Sequence, residues 1–174
     1  FEHLGGADSV VFYGSLLHTE AKAGSTNLTR FDDAASAAII VTEGPVAIVT
    51  EVTAGFGGVR GDAIGLNFQP SVFLTDKLEL VSRYQLAGAS EAGGLRSQRR
   101  YESPAGLPNG DHYQATYLGL NYYLAGHRIK LLTGMEHARM NGRDAFTLFA
   151  GFRMFFGPQS NAPYPGNKLL KGIW

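Results

Sequence analysis

The feature that most constrains this chain is strict period-two alternation, sustained over about a dozen residues three times in succession. The runs are Tyr113 to Leu124 (YQATYLGLNYYL), Arg128 to Met140 (RIKLLTGMEHARM) and Ala145 to Phe156 (AFTLFAGFRMFF). Successive side chains of a strand point to opposite faces, so alternation assigns each residue to a side. In the last run Phe146, Leu148, Ala150, Phe152, Met154 and Phe156 share one face. Ala145, Thr147, Phe149, Gly151, Arg153 and Phe155 share the other, which alone carries charge. In the run before it, Ile129, Leu131, Thr133, Met135 and His137 oppose Arg128, Lys130, Leu132, Gly134, Glu136 and Ala138. An average soluble strand has ~5–6 residues, whereas a strand tilted across a bilayer needs ~9–11 in the apolar zone. The fold class expected is therefore all-β, an antiparallel transmembrane β-barrel.

Turn signals built from Gly, Pro and Asp divide the rest of the chain in the same way. Strands are expected near residues 9–19, 34–42, 46–55, 63–74 and 78–87, and with 113–124, 128–140 and 145–156 they number eight. Their connections alternate in length. Thr19 to Ala34 and Gly88 to Asp111 are long, and Phe56 to Asp62 and Asn141 to Asp144 are medium. Glu43 to Pro45, Thr75 to Lys77 and Ala125 to His127 are short. Short turns on one rim and longer loops on the other are the pattern of a bacterial outer-membrane barrel, with the last strand ending on the periplasmic rim. Residues 157–174 form a C-terminal tail that contains Pro158, Pro163 and Pro165.

Composition narrows the alternatives. Charged residues make up 17% of the chain, against about 25% in an ordinary soluble domain, while 44% are hydrophobic. No apolar run approaches the ~20 residues of a membrane helix, so helical spans do not explain the scarcity of charge. The formal net charge of zero argues against a nucleic-acid partner. The absence of cysteine is compatible with an oxidising envelope but equally with a cytosolic protein. Phe1 to Val10 has neither the basic segment nor the apolar core of a signal peptide, which leaves a processed chain or, preferably, a fragment.

Chemistry-bearing motifs are few. His3, His18, His112, His127 and His137 show no metal-ligand spacing, and neither a nucleophile elbow nor an HExxH signature occurs. The glycine-dense AGFGGVRGD segment from Ala54 to Asp62 joins two strands and opens no helix, so it reads as a hairpin loop. No enzyme activity, cofactor or metal is expected. The residues of interest are those on the charged face: Arg83, Lys130, Arg153, Glu51, Glu79 and Glu136, among Asn67, Gln69, Gln85, Tyr117 and Asn121. Two roles fit them. They line a pore in which fixed cations lower the barrier to anions, or they pair across strands, Arg83, Lys130 and Arg153 with Glu79, Glu51 or Glu136, and hold register. In the long loop Arg96, Arg99 and Arg100 either gather anions at the mouth or stand as solvated charges. Tyr122, Tyr123, Phe155 and Phe156 near the short-turn rim fit an aromatic girdle.

The block LELVSRYQLAG from Leu78, the loop GLRSQRRYE, the run YLGLNYYLAGHRIKLLTGMEHARMNG and the segment FAGFRMFF together resemble the C-terminal part of the phosphate-selective porin O and P family. Gly119 to Leu124 match the end of an antepenultimate strand of the LNYYL type. Arg128 to Glu136 match the penultimate strand, and Gly151, Arg153 and Phe156 the closing one; TEGPVAIVTEV is similar more loosely. The resemblance implies a sixteen-stranded barrel in the outer membrane, usually a homotrimer, with outer-membrane lipid and small anions such as phosphate as its partners. The chain departs from the family in supplying about half of those strands and in the eighteen residues that follow Phe156. The basic residues that select phosphate in the family lie largely outside the matched part, so its selectivity is not carried over. Two other readings stay open: a non-conducting, structural eight-stranded outer-membrane barrel, and a soluble binding barrel of lipocalin type. Against the latter, the polar face is rich in Gly, Ala, Asn and Gln rather than the Lys and Glu of a water-exposed exterior.

Overall fold

Val, Ile, Phe, Tyr and Leu on alternate positions, separated by small or polar residues, are side chains suited to a pleated sheet with two different faces. The computed structural model describes residues 7–20, 31–57, 61–125 and 128–155. Among them are eight strands, β1 (Ser9–His18), β2 (Asp33–Glu43), β3 (Val46–Phe56), β4 (Ala63–Thr75), β5 (Leu78–Ala89), β6 (His112–Tyr123), β7 (Ile129–Met140) and β8 (Arg143–Met154). Their ends fall within two residues of those expected from the alternation. The tail 157–174 and Phe156 lie outside the described residues.

Local chemistry sets the turns. Gly44, at φ +52°, precedes Pro45 between β2 and β3, and its amide donates to the Asp8 carboxylate at 2.8 Å. The Thr75 hydroxyl accepts from the amides of Lys77 and Leu78, closing the β4–β5 turn. Between β7 and β8 the structure corrects the expected medium loop. Met140 pairs with Arg143, so only Asn141 and Gly142 connect the strands, both with positive φ of 48° and 80°. Asn-Gly is the dipeptide that a tight, right-twisted hairpin favours. One of the four connections on the longer-loop rim is therefore as tight as any on the other rim.

The strands pair antiparallel in sequence order, β1 to β8, in a single sheet. Each hydrogen-bonds its neighbours in the chain, and β1 and β8 are not paired with each other. The sheet is not closed. The β4–β5 ladder is interrupted at Gln69 and Pro70, where proline supplies no amide hydrogen, and a bulge follows between Phe73 and Thr75.

Register sorts the side chains. One face carries Glu51, Asn67, Gln85, Tyr117 and Glu136, since Glu51 opposes Asn67, Asn67 opposes Gln85 and Tyr117 opposes both Arg83 and Glu136. The loop between β5 and β6 packs on this face. Its Leu107 lies in a buried cluster with Ala115, Ala138, Met140 and Ala145. At the short-turn rim of the same face Ala47, Phe73 and Tyr123 form a second buried cluster. Among the described residues the other face is bare of any docked loop, and large apolar side chains are exposed on seven of its eight strands, Phe12, Val52, Ile64, Leu86, Leu118, Met135 and Phe152 among them. Exposure is greatest on the two edge strands, at 88% for Leu16 and 83% for Leu148.

Position 142 tests the β7–β8 turn. A Cβ at positive φ strains an L residue by about 1–2 kcal/mol even where, as at Gly142, no atom stands in its way. Gly142→Ala is expected to lower stability by about that amount in denaturant titration, whereas Gly151→Ala, whose added Cβ meets only Leu132 at 3.5 Å, costs far less. Equal effects would contradict the turn geometry.

Candidate functional site

The loop-bearing face has a polar middle. Arg83, Lys130, Arg153, Glu51, Glu79 and Glu136 all stand on it, because Glu79 opposes Asn121, Tyr123 opposes Lys130 and Lys130 opposes Arg153. Two strands apart, the Arg83 Nη2 reaches Glu136 Oε2 at 2.6 Å, with the Arg83 guanidinium 5.3 Å from the centre of the intervening Tyr117 ring. Glu136 is 3% exposed, and this contact gives its buried carboxylate a charged partner, whose loss would leave an uncompensated buried charge. Of the cross-strand pairs expected between these cations and carboxylates, Arg83–Glu136 is formed as an ion pair. Nearer the short-turn rim, Glu79 accepts hydrogen bonds from Asn121 Nδ2 and from the Tyr123 hydroxyl. Lys130 is buried there, with its ammonium 5.4 Å from the centre of the Tyr123 ring, while Arg153 opposite it is exposed. Glu51 is half-buried beside Asn67 and Ala38 and makes no ion pair with a described residue.

Glycine shapes this middle zone. Gly119 and Gly134 oppose each other on β6 and β7, and the Tyr117 ring lies across them. A Cβ at Gly134 would stand 2.5 Å from the Tyr117 hydroxyl oxygen, and one at Gly119 would also collide with it. The two glycines thus form the notch in which an aromatic ring lies flat on the sheet, where it packs edge-on against Phe149.

Above the notch sits the loop. Glu102, 2% exposed, is its anchor: Oε1 accepts from the Tyr113 hydroxyl and Oε2 from the Gln98 amide, both at 2.6 Å. Ser97 Oγ donates to the Leu107 carbonyl, and Leu95 pairs with Gly110 as an isolated bridge, so the loop is tied to itself as well as to the sheet. Tyr101 meets Phe149 edge-on at 5.2 Å. Burial, with the Glu136 and Glu102 carboxylates nearby, holds the Tyr101 phenol above its usual pKa, so it stays neutral. At the loop's far end Asn141 Oδ1 accepts from the amides of Asp111 and His112, which links the tight β7–β8 turn to the entry of β6.

The structure divides the expected basic loop cluster. Arg99 and Arg100 are exposed, whereas Arg96 is half-buried. It also corrects the aromatic girdle: Tyr122 is exposed on the bare face, whereas Tyr123 faces the other way and is buried against Phe73, and Phe155, just beyond β8, is exposed. Register explains this, since adjacent residues of one strand cannot share a face. Glu102, Tyr101 and Leu107 were not singled out from sequence. The signal available was an aromatic and two leucines, Leu95, Tyr101 and Leu107, inside a segment otherwise rich in Gly, Ser, Arg and Pro.

Among the described residues no group of three or more His, Asp or Glu side chains could hold a metal ion. No family model matches the chain, and neither a curated protein nor a solved structure matches it.

The notch makes a signed prediction. Valine has the better strand propensity, by up to ~1 kcal/mol, so Gly134→Val is expected to stabilise unless the Tyr117 contact decides. In the native background the collision should win and cost about 1–3 kcal/mol. In a Tyr117→Ala background the same substitution should become neutral or stabilising. A double-mutant cycle in denaturant reads the coupling, and additivity would contradict the notch.

Proposed function

We propose that this chain forms part of the wall of a bacterial outer-membrane porin, a β-barrel larger than its own eight strands, through which small solutes diffuse passively. The observation that carries the reading is a band on the bare face without a single Asp, Glu, Lys, Arg or His side chain. It runs through Ile64 to Leu74 on β4, Leu78 to Leu86 on β5, Gln114 to Tyr122 on β6 and Phe146 to Met154 on β8, taking alternate residues. These spans match the ~9–11 residues with which a tilted strand crosses a bilayer. Acidic, basic and histidine side chains return on this face only at strand ends, as in the pairs His18–Asp33 and His137–Asp144 toward the longer-loop rim and Glu43 at the short-turn rim.

The alternatives fare worse on specific grounds. A soluble lipocalin-like barrel would place this apolar band, which spans most of the strands, in water, where a soluble monomer normally shows apolar patches of only a few hundred Å². A small structural barrel of eight strands requires β1 to pair with β8, and they do not pair. Open strand edges are not tolerated in lipid, so both edges call for further strands. About sixteen in all would leave an aqueous channel, whereas eight leave an interior that side chains fill. The resemblance to the phosphate-selective porin O and P family supports the same size and a homotrimer, with small anions such as phosphate as solutes.

Selectivity from this part of the wall should be mild. Glu136 neutralises Arg83, and Lys130 is buried against Tyr123, which leaves Arg153 as the cation of that group most open to solvent. Single-channel recording of the full-length protein in planar bilayers tests the reading. A stable, weakly anion-preferring conductance is expected, with Arg153→Glu lowering the chloride-to-potassium permeability ratio more than Lys130→Glu does. Absence of conductance from the native protein would contradict it.

A further inference from the structure

The β5–β6 loop closes one side of a cavity of about 670 Å³ against the longer-loop ends of β1 to β5. This lies in the ~300–1,000 Å³ range of pockets that hold organic ligands. Ala34, Gly55, Ala63 and Ala87 contribute nothing larger than a methyl group, so the sheet leaves room above itself, and Phe31 and Leu95 add apolar walls. Phe31 lies over Gly55, where a Cβ would strike its ring at 2.6 Å.

The polar groups at this cavity are unequal. Glu102 borders it, but each of its carboxylate oxygens already accepts a hydrogen bond. Arg96 also borders it, half-buried, and makes no hydrogen bond or ion pair with a described residue. An arginine that lines a largely apolar cavity is matched best by a planar carboxylate, which a guanidinium binds through two parallel hydrogen bonds. A compact hydrated anion such as phosphate would satisfy the guanidinium but leave the apolar walls wet. An apolar neutral solute would do the reverse.

We propose that this cavity binds an organic monocarboxylate with a flat apolar body of about ten non-hydrogen atoms, its carboxylate on Arg96 and its body over the alanine and glycine floor. The site rests on the reading of the loop-bearing face as the wetted wall of a channel, and it adds a bound organic anion to the small anions proposed to pass that wall.

Equilibrium titration of the full-length protein in lipid nanodiscs with fluorescent 2-naphthoate, against empty nanodiscs, tests the proposal. Saturable binding is expected, with 2-naphthol, which lacks the charge, and acetate, which lacks the body, each at least about tenfold weaker. Arg96→Gln should weaken 2-naphthoate by about tenfold or more and leave 2-naphthol unchanged. Ala63→Leu, which fills the floor, should weaken both naphthyl ligands, and Arg100→Gln should change neither. If Arg96→Gln does not fold, Arg96→Lys keeps the charge without the paired geometry and should give an intermediate loss. Wild-type affinity in the Arg96 variant, or acetate binding as well as 2-naphthoate, would overturn the site. Conductance recorded in parallel separates the two readings: a conducting protein without naphthoate binding removes the site and keeps the channel, whereas binding without conductance does the opposite.

Discussion

The backbone ladder commits every strand residue to one of two faces, and everything else in this molecule follows from how differently those faces are populated. Seven antiparallel pairings in unbroken sequence order carry the assignment from β1 to β8. On one face Glu79, Lys130 and Glu136 are buried, while on the other Leu16, Phe146 and Leu148 stand almost fully exposed. Water is a poor solvent for the second face, and a hydrocarbon layer is a poor one for the first. On the proposed reading, such a sheet stands between lipid on one side and water on the other.

The charged face then solves a local problem of its own. Buried ions need partners, and the register supplies them at different distances across the sheet. Arg83 reaches past Tyr117 to Glu136, and this requires the tyrosine ring to lie low, which Gly119 and Gly134 permit. The docked loop depends in turn on the same neighbourhood. Phe149 touches both Tyr117 and Tyr101, so the ring in the notch and the ring in the loop share one support. Glycine, ion pair and loop are therefore one packing unit rather than three separate features.

Alternation made most of the fold legible in the sequence, because a period of two survives without any knowledge of partners. It placed all eight strands to within two residues and put Arg83, Lys130, Arg153, Glu51, Glu79 and Glu136 together on one face. It was less useful wherever tertiary contacts decide. Asn141-Gly142 carried a tight-turn signal that the expected longer loop overlooked, and Tyr123 was grouped with Tyr122 although neighbours on a strand point apart. The docking of the β5–β6 loop was beyond reach. Nothing in the spacing of Tyr101, Glu102 and Leu107 shows that Tyr113, Phe149 and Met140 wait for them on three different strands.

The most direct test of the central claim uses the absence of cysteine from the chain. Single cysteines placed one at a time from Leu66 to Gln69 and at Ser71 and Val72 of β4 accept nitroxide labels, with the full-length protein reconstituted in lipid vesicles. Power-saturation measurements then compare collision with oxygen, which concentrates in lipid, and with a water-soluble nickel chelate. The account requires oxygen to dominate at Leu66, Phe68 and Val72 and the chelate to dominate at Asn67, Gln69 and Ser71. Access to the chelate at all six positions, or a profile without the period of two, would contradict it.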